Sequence, residues 1–324
     1  MSKYSLTGKY KRALVTGGAG FVGSHLCDSL LADGLEVVSF DNYVSGKDEN
    51  LALASQNSLF TRVDGDVRDQ RAVEEAMEGV DIVFHQAASK MTVCLTSPDL
   101  DLQVNAWGSF NLLSNSISAG VKKFIHVSTG SVYGQSETFP TKEADAVNPE
   151  SYYGVSKLAG EKYARLFSSM YGLNTSILRY FHVYGPRQEN SDVGGVVTIF
   201  ARNVLMGEPI KIYGDGSQIR SFTSVHDVVE INKFCASNLS ASGEAYNCNS
   251  GTYVSILQLA EMVRERLGAP EHPIEYHDWR KGDVKYFNVS NDKLRAEGFE
   301  WEVPFEKGLD ETLNWSRQWI KKQG

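Results

Sequence analysis

The chain has 324 residues, and 32 Lys and Arg against 40 Asp and Glu give it a formal net charge of −8. Its 42% hydrophobic and 22% charged residues are typical of a globular protein and exclude a disordered chain. No apolar run approaches the roughly 18 residues of a membrane span, and the start lacks the apolar stretch of a signal peptide, so we expect a cytoplasmic protein that engages no membrane.

The first predicted elements are a buried strand, Arg12–Thr16, a glycine-rich turn, and a helix that includes Ser24–Leu31. The turn carries glycines at intervals of three residues. Such a turn can bend tightly, approach a pyrophosphate without a side chain, and pack the helix start against the strand. The N-terminus of the helix then faces the phosphates. The candidate dinucleotide-binding residues here are Gly17, Gly20, Phe21, Val22 and Gly23.

A second buried strand, Glu36–Phe40, ends at Asp41, which lies 24 residues after Gly17. An acidic side chain at this place can accept hydrogen bonds from a ribose diol. Because its carboxylate would repel a 2′-phosphate, the sequence favours NAD over NADP as the cofactor.

Strands and helices keep alternating along most of the chain. The further predicted strands are Phe60–Val63, Val80–His85, Lys123–Ser128, Ser176–Phe181 and Ala245–Cys248. Apolar strands that alternate with helices indicate a parallel sheet covered on both faces, with ligands at the carboxyl ends of the strands. We therefore predict an α/β fold with a doubly wound parallel (Rossmann) sheet. Residues 1–181 and 220–250 would form the NAD-binding domain, and residues 182–219 and 251–324 a smaller, discontinuous substrate-binding lobe.

Tyr153 and Lys157 are four residues apart in a predicted helix and so share one of its faces. A neighbouring ammonium and a positively charged nicotinamide ring both favour the phenolate of a tyrosine, so Tyr153 can act as a base. Taken alone, the pair is more typical of a packed tyrosine and a solvated lysine, and the preceding dinucleotide-binding motif is what favours the catalytic interpretation. At the end of the preceding strand, one of the hydroxyls of Ser128, Thr129 and Ser131 can bridge the substrate and Tyr153, or these groups can simply bond the backbone of the turn.

These motifs resemble those of the extended short-chain dehydrogenase/reductases, in the branch of NAD-dependent nucleotide-sugar epimerases and dehydratases, with the UDP-glucose 4-epimerases as the nearest model. The resemblance covers about Lys11 to Trp315. It implies a catalytic group in which Thr129 relays the proton to Tyr153 beside Lys157. It also implies an adenine site at Asp66 and Val67 and a nicotinamide site at Ala87 and Ala88. Further cofactor residues implied by the family motifs are Asp41, Asn42, Lys90 and Asn105.

The resemblance also implies a nucleotide-sugar site. The segment Ile212–Arg220 is similar to the nucleotide loop of the family, in which Arg220 would grip the diphosphate. The bidentate guanidinium groups of Arg220 and Arg280 suit a diphosphate, although both arginines can also be plain surface charges. The implied substrate-binding residues are Ser131, His182, Tyr213, Arg220, Arg280 and Asp283.

His182 stands where the family usually has an asparagine that contacts the sugar phosphate. A histidine there is larger and can carry charge near its ordinary pKa of ~6.5. It would bind an unusual sugar or a carboxylate, or simply hydrogen-bond the loop.

The residues after Thr129 bear on the type of reaction. The 4,6-dehydratases of the family have an Asp-Glu pair there, and this chain has Gly130 and Ser131, which cannot move a proton as a carboxyl group does. The expected function is therefore nucleotide-sugar 4-epimerisation by transient oxidation at C4. The alternatives are a C4 oxidase or dehydrogenase, a uronate decarboxylase, a dehydratase, and a non-catalytic NAD-binding protein.

The expected partners are a nucleotide-diphosphate sugar and a second copy of the chain. The resemblance implies a homodimer built on the helical segments Trp107–Ser118 and Tyr152–Met170. An acidic chain without a block of Lys and Arg is a poor ligand for nucleic acid, so we expect none. We also expect no metal, because the four cysteines form no CxxC pair and no group with histidines.

Overall fold

The structure is a computed structural model that describes residues 3–192, 194–238, 242–279 and 288–323. Its strands are β1 Arg12–Thr16, β2 Glu36–Asp41, β3 Phe60–Asp64, β4 Ile82–His85, β5 Lys123–Thr129, β6 Thr175–Tyr180, β7 Val183–Tyr184, β8 Ile210–Tyr213, β9 Ile219–Ser221, β10 Thr223–Ser224, β11 Glu244–Cys248, β12 Tyr253–Ser255 and β13 Ile274–His277. Its α-helices are α1 Phe21–Ala32, α2 Gln70–Ala76, α3 Met91–Thr96, α4 Pro98–Leu102, α5 Gly108–Ser118, α6 Tyr152–Tyr171, α7 Val196–Met206, α8 Val225–Ser237, α9 Ile256–Arg266, α10 Asp292–Ala296 and α11 Phe305–Gln323. A π-helical turn, Gln103–Trp107, joins α4 to α5.

A parallel sheet forms the centre of the fold. In the described chain it has seven strands in the order β11-β6-β5-β4-β1-β2-β3, and every pairing between neighbours is parallel. The chain builds one half of the sheet outward from β1 to β3 and then crosses over to begin the other half at β4. This order confirms the predicted doubly wound α/β fold. In such sheets ligands bind at the carboxyl ends of the strands where the order reverses, which here is between β1 and β4.

The chain packs as two compact units. Within the described residues, the first unit runs to Ser136 and adds Glu143–Tyr180 and Val228–Cys248, and the second comprises Glu137–Lys142, Phe181–Asp227 and the chain from Asn249 on. Residues 220–227, which the sequence analysis groups with the sheet domain, pack in the second unit because β9 pairs with β12 and β10 with β7. That the first unit binds the cofactor and the second the sugar nucleotide stays a prediction.

Each unit has its own apolar core. In the first, Leu14, Val83 and Phe124 on the strands pack against residues of α2, α5 and α6. In the second, Tyr184 and Phe222 pack against Phe305 of α11, together with side chains of α7 and α9. None of the described helices has both the length and the apolar character that crossing a membrane requires.

A buried ion pair joins α6 to the sheet in the first unit. The guanidinium of Arg179 on β6 lies 2.7 Å from the carboxylate of Glu161 on α6, and the two side chains are 3% and 1% exposed. Arg179 also donates to the hydroxyl of Tyr133 at 2.7 Å, and that hydroxyl donates to Asn247 on β11. The network thus ties the helix that carries Tyr153 to two strands and to the turn that follows β5.

We expect Glu161→Gln to lower the free energy of unfolding by about 3 kcal/mol, because it leaves the guanidinium of Arg179 buried without a counter-charge. The control is Arg71→Gln, which breaks an ion pair with Glu75 whose side chains are 87% and 65% exposed. That change should cost less than about 0.5 kcal/mol. Urea unfolding of the two variants measures the difference, and equal losses would contradict a structural role for the buried pair.

Candidate active site

The turn after β1 brings two backbones into close approach. Gly17 has a φ of +68°, in the left-handed region, and a Cβ built on it would lie 2.8 Å from the backbone nitrogen of Ala87. A Cβ on Gly23 would overlap the carbonyl oxygen of Gly17, and one on Gly20 would lie 3.1 Å from the same oxygen. Gly17 and Gly23 therefore form a backbone turn that side chains would not permit, and at Gly20 a side chain would be tightly packed. A bare turn of this kind fits a pyrophosphate.

Helix α1 begins directly after this turn. Gly20 is its N-cap, and in the described chain no side chain caps the helix start and no acidic residue lies in its first turn. The backbone N–H groups of Phe21 and Val22 lie in that first turn, where N–H groups lack intrahelical acceptors and the helix dipole favours an anion. The helix start thus fits a phosphate group as the sequence predicts.

Gly18 is a turn residue that the sequence analysis does not single out. A Cβ at this position would lie 2.9 Å from the Cβ of Ser39 on β2. Its only signal in the sequence is its place inside the glycine cluster. Gly18 allows the turn to pack against the neighbouring strand.

Asp41, at the end of β2, is almost completely buried. Its carboxylate accepts the backbone N–H of Ala19 at 3.0 Å and that of Tyr43 at 2.8 Å. Burial raises the pKa of this carboxyl above its usual value. Asp41 therefore anchors the loop after β2 to the glycine turn, and its expected bond to a ribose would come in addition to these contacts.

The adjacent candidate residues lie at the ends of β2 and β3. The Asn42 side chain donates to the Asp66 carboxylate at 2.9 Å, and the Arg68 guanidinium forms two hydrogen bonds to it at 2.9 and 2.8 Å. These bonds to Arg68 hold the pKa of Asp66 at about 2, so Asp66 is ionised at neutral pH. Val67 is buried, and its carbonyl accepts the side-chain N–H of Asn111 at 2.9 Å.

The loop after β4 lies beside the glycine turn. The Ala87 N–H donates to the Thr16 hydroxyl at 3.2 Å, and that hydroxyl also hydrogen-bonds the His85 ring at 2.8 Å. Ala87 is half-buried and Ala88 exposed. Lys90 is the N-cap of α3 at the end of this loop. The loop and the turn are thereby fixed to each other at the point where the strand order reverses.

The candidate catalytic residues come together in the first unit. β5 ends at Thr129, which is hydrogen-bonded to the hydroxyl of Tyr153. The Thr129 hydroxyl also donates to Ser131 at 3.2 Å. Tyr153 and Lys157 both lie on α6, as their spacing predicts. Ser151 caps this helix by accepting the N–H of the residue three positions on.

Burial controls the charge of these groups. Burial raises the pKa of Tyr153 to about 12, while its hydrogen bond with Thr129 acts in the opposite direction. Burial lowers the pKa of Lys157 to about 8, and the charges of Glu161 and Asp101 oppose that change. In this structure Tyr153 is therefore protonated at neutral pH, and the phenolate expected from the sequence requires further positive charge.

The ammonium of Lys157 is buried and has no hydrogen-bond partner among the described residues. A buried ammonium without acceptors is costly. The hydroxyls of a nucleotide ribose are acceptors of the kind it lacks. Together with the bare glycine turn, this ammonium fits a dinucleotide in the first unit.

Asn105 lies in the π-helical turn and uses its whole side-chain amide within the protein. Its NH₂ group donates to Asp101 and to Ser156, both at 3.0 Å, and its oxygen accepts the Ser89 N–H at 2.9 Å. The structure thus places this predicted cofactor residue in a buried polar network. The other three members, Asp101, Ser89 and Ser156, are not identifiable from the sequence, since a lone Asp and two Ser carry no motif.

The candidate substrate residues of the second unit are partly described. His182 hydrogen-bonds the backbone of Ser221, and burial, with the nearby charge of Arg220, lowers its pKa to about 3. Its bond to the loop agrees with one of the expected alternatives, and the lowered pKa favours the neutral ring over the charged one; a contact of His182 with a sugar stays a prediction. Arg220 is buried and donates to the Ile219 carbonyl at 3.0 Å.

The other candidates in this group are Tyr213, Arg280 and Asp283. Tyr213 ends β8, and its ring centre lies 5.5 Å from that of His277 on β13. Arg280 and Asp283 lie outside the described residues. Their expected contacts with phosphate and ribose stay predictions.

The sequence model of the NAD dependent epimerase/dehydratase family matches residues 13–249. The chain belongs to this family. NAD is accordingly its cofactor, and the UDP-glucose 4-epimerase of Thermus thermophilus, whose solved structure is a complex with NAD, matches 94% of this chain and 99% of its own at 36% identity and a TM-score of 0.85.

Other family members show how close the similarity is. The UDP-glucose 4-epimerase of Mycolicibacterium smegmatis is 37% identical over 94% of this chain and 98% of its own. The structure of UDP-glucose 4-epimerase from Thermotoga maritima with UDP-glucose has a TM-score of 0.89 at 37% identity, covering 95% of this chain and 99% of that one. Relatives at 31% identity include a dTDP-glucose 4,6-dehydratase and a UDP-N-acetyl-alpha-D-glucosaminuronate decarboxylase. The family thus covers more than one reaction.

We expect Gly23→Ala to abolish detectable NAD binding, because the new Cβ would overlap the Gly17 carbonyl and force the phosphate-facing turn open. The control is Gly34→Ala just after the same helix, where φ is +82° and no atom lies within 4 Å of the new Cβ. That variant should lose about 1 kcal/mol of stability from backbone strain and keep its NAD affinity. Calorimetric titration with NAD distinguishes the two, and normal binding by Gly23→Ala would contradict the role of the turn.

Proposed function

We propose that this protein is a nucleotide-sugar 4-epimerase that oxidises C4 of its substrate transiently and then reduces it from the opposite face. The observation that carries the proposal is the grouping of Thr129 and Tyr153, both half-buried, with the buried Lys157, and the presence of Gly130 and Ser131 in place of an acidic pair. Bound NAD supplies the hydride acceptor and, after the sugar has turned, the hydride donor. The proton transfers fall to the side chains of this chain.

Tyr153 is the group that moves the proton. It takes the proton of the sugar 4-hydroxyl through its hydrogen bond with Thr129 and returns it when the ketone is reduced. Because burial raises the pKa of Tyr153 to about 12, the phenolate forms only when positive charge lies nearby. An oxidised nicotinamide ring bound beside Tyr153 would supply that charge. The base is thus active in the form of the protein that is ready to oxidise substrate.

Lys157 has the second role, which is to hold the cofactor. Its buried ammonium would donate to the ribose hydroxyls next to the nicotinamide. The glycine turn and the uncapped start of α1 would hold the pyrophosphate, with Asp41 and Asn42 at the adenosine ribose and Asp66 and Val67 at the adenine.

The residues after Thr129 support epimerisation over dehydration. Removal of water from a sugar needs a group that delivers a proton to the leaving hydroxyl. Neither Gly130 nor Ser131 has a carboxyl group, and the Ser131 hydroxyl accepts a hydrogen bond from Thr129.

The substrate that the second unit would take is a nucleotide diphosphate sugar, with a UDP-hexose as first choice. Arg220 would contact the diphosphate, with Tyr213 close to the nucleotide, and Arg280 and Asp283 would complete the site. Since His182 is neutral at physiological pH, it suits a sugar hydroxyl better than a carboxylate. This supports a neutral sugar over a uronate and epimerisation over decarboxylation.

We expect Tyr153→Phe to lower kcat at least ~10²-fold and to leave NAD affinity unchanged, because it removes the proton carrier and keeps the ring. The matched control is Tyr152→Phe, the preceding residue, whose side chain is 64% exposed. It should convert substrate at the wild-type rate. Product formation from UDP-, GDP-, CDP- and dTDP-sugars is followed by NMR, and bound NADH by absorbance.

The same panel distinguishes the rival reactions. A C4 oxidase would accumulate NADH and a keto sugar, a decarboxylase would release carbon dioxide, and a dehydratase would give a deoxy-keto sugar. Unchanged turnover by Tyr153→Phe would refute the proposed mechanism.

We also propose that the protein is a homodimer formed through α5 and α6. Large apolar side chains are exposed on these helices, among them Ile117, Tyr163, Leu166 and Met170. A group of exposed apolar side chains of this kind is typical of an interaction surface. A four-helix contact between two copies would cover them.

We expect Leu166→Glu to convert the dimer to a monomer in sedimentation velocity, because a carboxylate would be buried at the interface. The control is Met206→Glu at the end of α7, where the side chain is 58% exposed and lies outside both helices. It should sediment as the wild type does. A wild-type protein that sediments as a monomer would refute the proposed dimer.

A further inference from the structure

Asp101 on α4 is a completely buried carboxylate next to the candidate catalytic residues. Its oxygens accept three hydrogen bonds, from the Ser156 hydroxyl at 2.6 Å, the Ser89 hydroxyl at 2.9 Å and the Asn105 amide at 3.0 Å. All three donors are uncharged, and no described Lys, Arg or His forms an ion pair with it. Asp101 is therefore held by hydrogen bonds from uncharged donors and by no ion pair among the described residues.

The three donors belong to different parts of the site. Ser89 follows Ala87 and Ala88 in the loop after β4. Asn105 lies in the π-helical turn and also binds the backbone N–H of Ser89. Ser156 is on α6, directly before the catalytic lysine, and its hydroxyl also lies 3.0 Å from the carbonyl of Tyr153. One carboxylate thus connects the expected nicotinamide loop to the catalytic helix.

Connecting these segments through a buried carboxylate is energetically unfavourable compared with apolar packing. Burying a carboxylate costs several kcal/mol unless hydrogen bonds compensate, and apolar residues of similar volume often give equal or higher stability. Packing alone therefore does not explain an aspartate at position 101. The charge of the aspartate, or the directions of its hydrogen bonds, must therefore matter at this position.

We propose that Asp101 is a positioning residue for the reaction, which holds α6 and the loop after β4 in fixed relation through Ser156, Ser89 and Asn105 and presents a buried negative charge to Tyr153 and Lys157. This inference rests on the proposed epimerase function, in which both residues act.

The charges that face the catalytic pair support this role. The described groups whose charges affect Tyr153 are Asp101 and Cys94 of α3, and both raise its pKa. Glu161 and Asp101 raise the pKa of Lys157, opposing burial.

The neighbouring strands contribute two histidines. His85 and His126 have pKa values well below the usual one, because both are buried and Lys157 lies near them. These two rings are therefore neutral at physiological pH. Glu161 forms an ion pair with Arg179. Asp101, which also acts on Tyr153 and Lys157, forms no ion pair among the described residues.

The decisive variant is Asp101→Asn, which keeps the shape and removes the charge. We expect kcat to fall at least tenfold with KM unchanged. The acidic limb of the kcat profile, which reports the ionisation of Tyr153, should move to lower pH by roughly one unit. Ser156→Ala removes one hydrogen bond and keeps the charge, so it should lower kcat without moving the limb.

The matched control is Asp33→Asn in the same unit. The Asp33 side chain is 6% exposed and pairs with Lys233 just after the end of α1. Since α1 rises 1.5 Å per residue, this carboxylate lies about 20 Å from the helix start at Gly20. The control should lose stability and leave the pH limb in place. A pH limb unshifted in Asp101→Asn, with only stability lost, overturns the proposal.

A second measurement does not depend on turnover. Tyrosinate formation is read by ultraviolet absorbance in a stopped-flow pH jump, before the protein unfolds, and the trace of the matching Tyr153→Phe protein is subtracted. Asp101→Asn should shift this titration of Tyr153 to lower pH. If the wild type converts no sugar and the shift is present, the proposed function fails and the electrostatic role stands.

If the wild type is active and the tyrosinate titration does not shift, the inference about Asp101 fails alone. Should Asp101→Asn not fold, the variants Ser156→Ala and Ser89→Ala decide the positioning role. Wild-type kcat in both of them overturns it.

Discussion

The backbone of Gly17 passes so close to that of Ala87 that no side chain fits between them. This approach depends on β1 and β4, which are adjacent, parallel and in register, with Thr16 opposite His85. The Thr16 hydroxyl bonds both the Ala87 N–H and the His85 ring, so the loops that leave the two strands are held together. The glycine turn, which would face the pyrophosphate, and the loop expected under the nicotinamide are therefore held side by side, and the other proposed cofactor residues of the first unit are placed relative to them.

Helix α6, which carries the proposed catalytic residues Tyr153 and Lys157, is held in the first unit by buried polar contacts. Glu161 is fixed to the sheet by Arg179, and Ser156 is fixed to the loop after β4 through Asp101. Between these two attachments the ammonium of Lys157 remains buried without a partner in the described chain. An acceptor-rich ligand bound there would satisfy this ammonium, and under the proposed function the relief of that unfavourable burial would contribute to cofactor affinity.

The sheet and the glycine turn were predictable from the sequence because their physics is local. A strand buried on both faces is apolar along its length, and a turn with no room for a Cβ requires glycine. The burial of Asp101 was not predictable, because an aspartate in a five-residue helix looks like a surface charge. Its burial depends on Ser89 and Ser156, which come from distant parts of the chain. The lowered pKa of His182 could not be predicted from the sequence either, since it follows from burial and from the nearby charge of Arg220.

The same burial that makes Tyr153 a poor base in the free protein gives the proposed reaction its direction. A phenol with a pKa of about 12 holds its proton at neutral pH, so the hydroxyl of a sugar is not activated unless positive charge approaches. A bound oxidised nicotinamide would supply that charge, and its reduced form would not. Tyr153 would therefore favour the phenolate when a sugar is to be oxidised, and the phenol when the ketone is to be reduced. The raised pKa thus couples the proton held by Tyr153 to the oxidation state of the cofactor, as a reaction that returns its hydride requires.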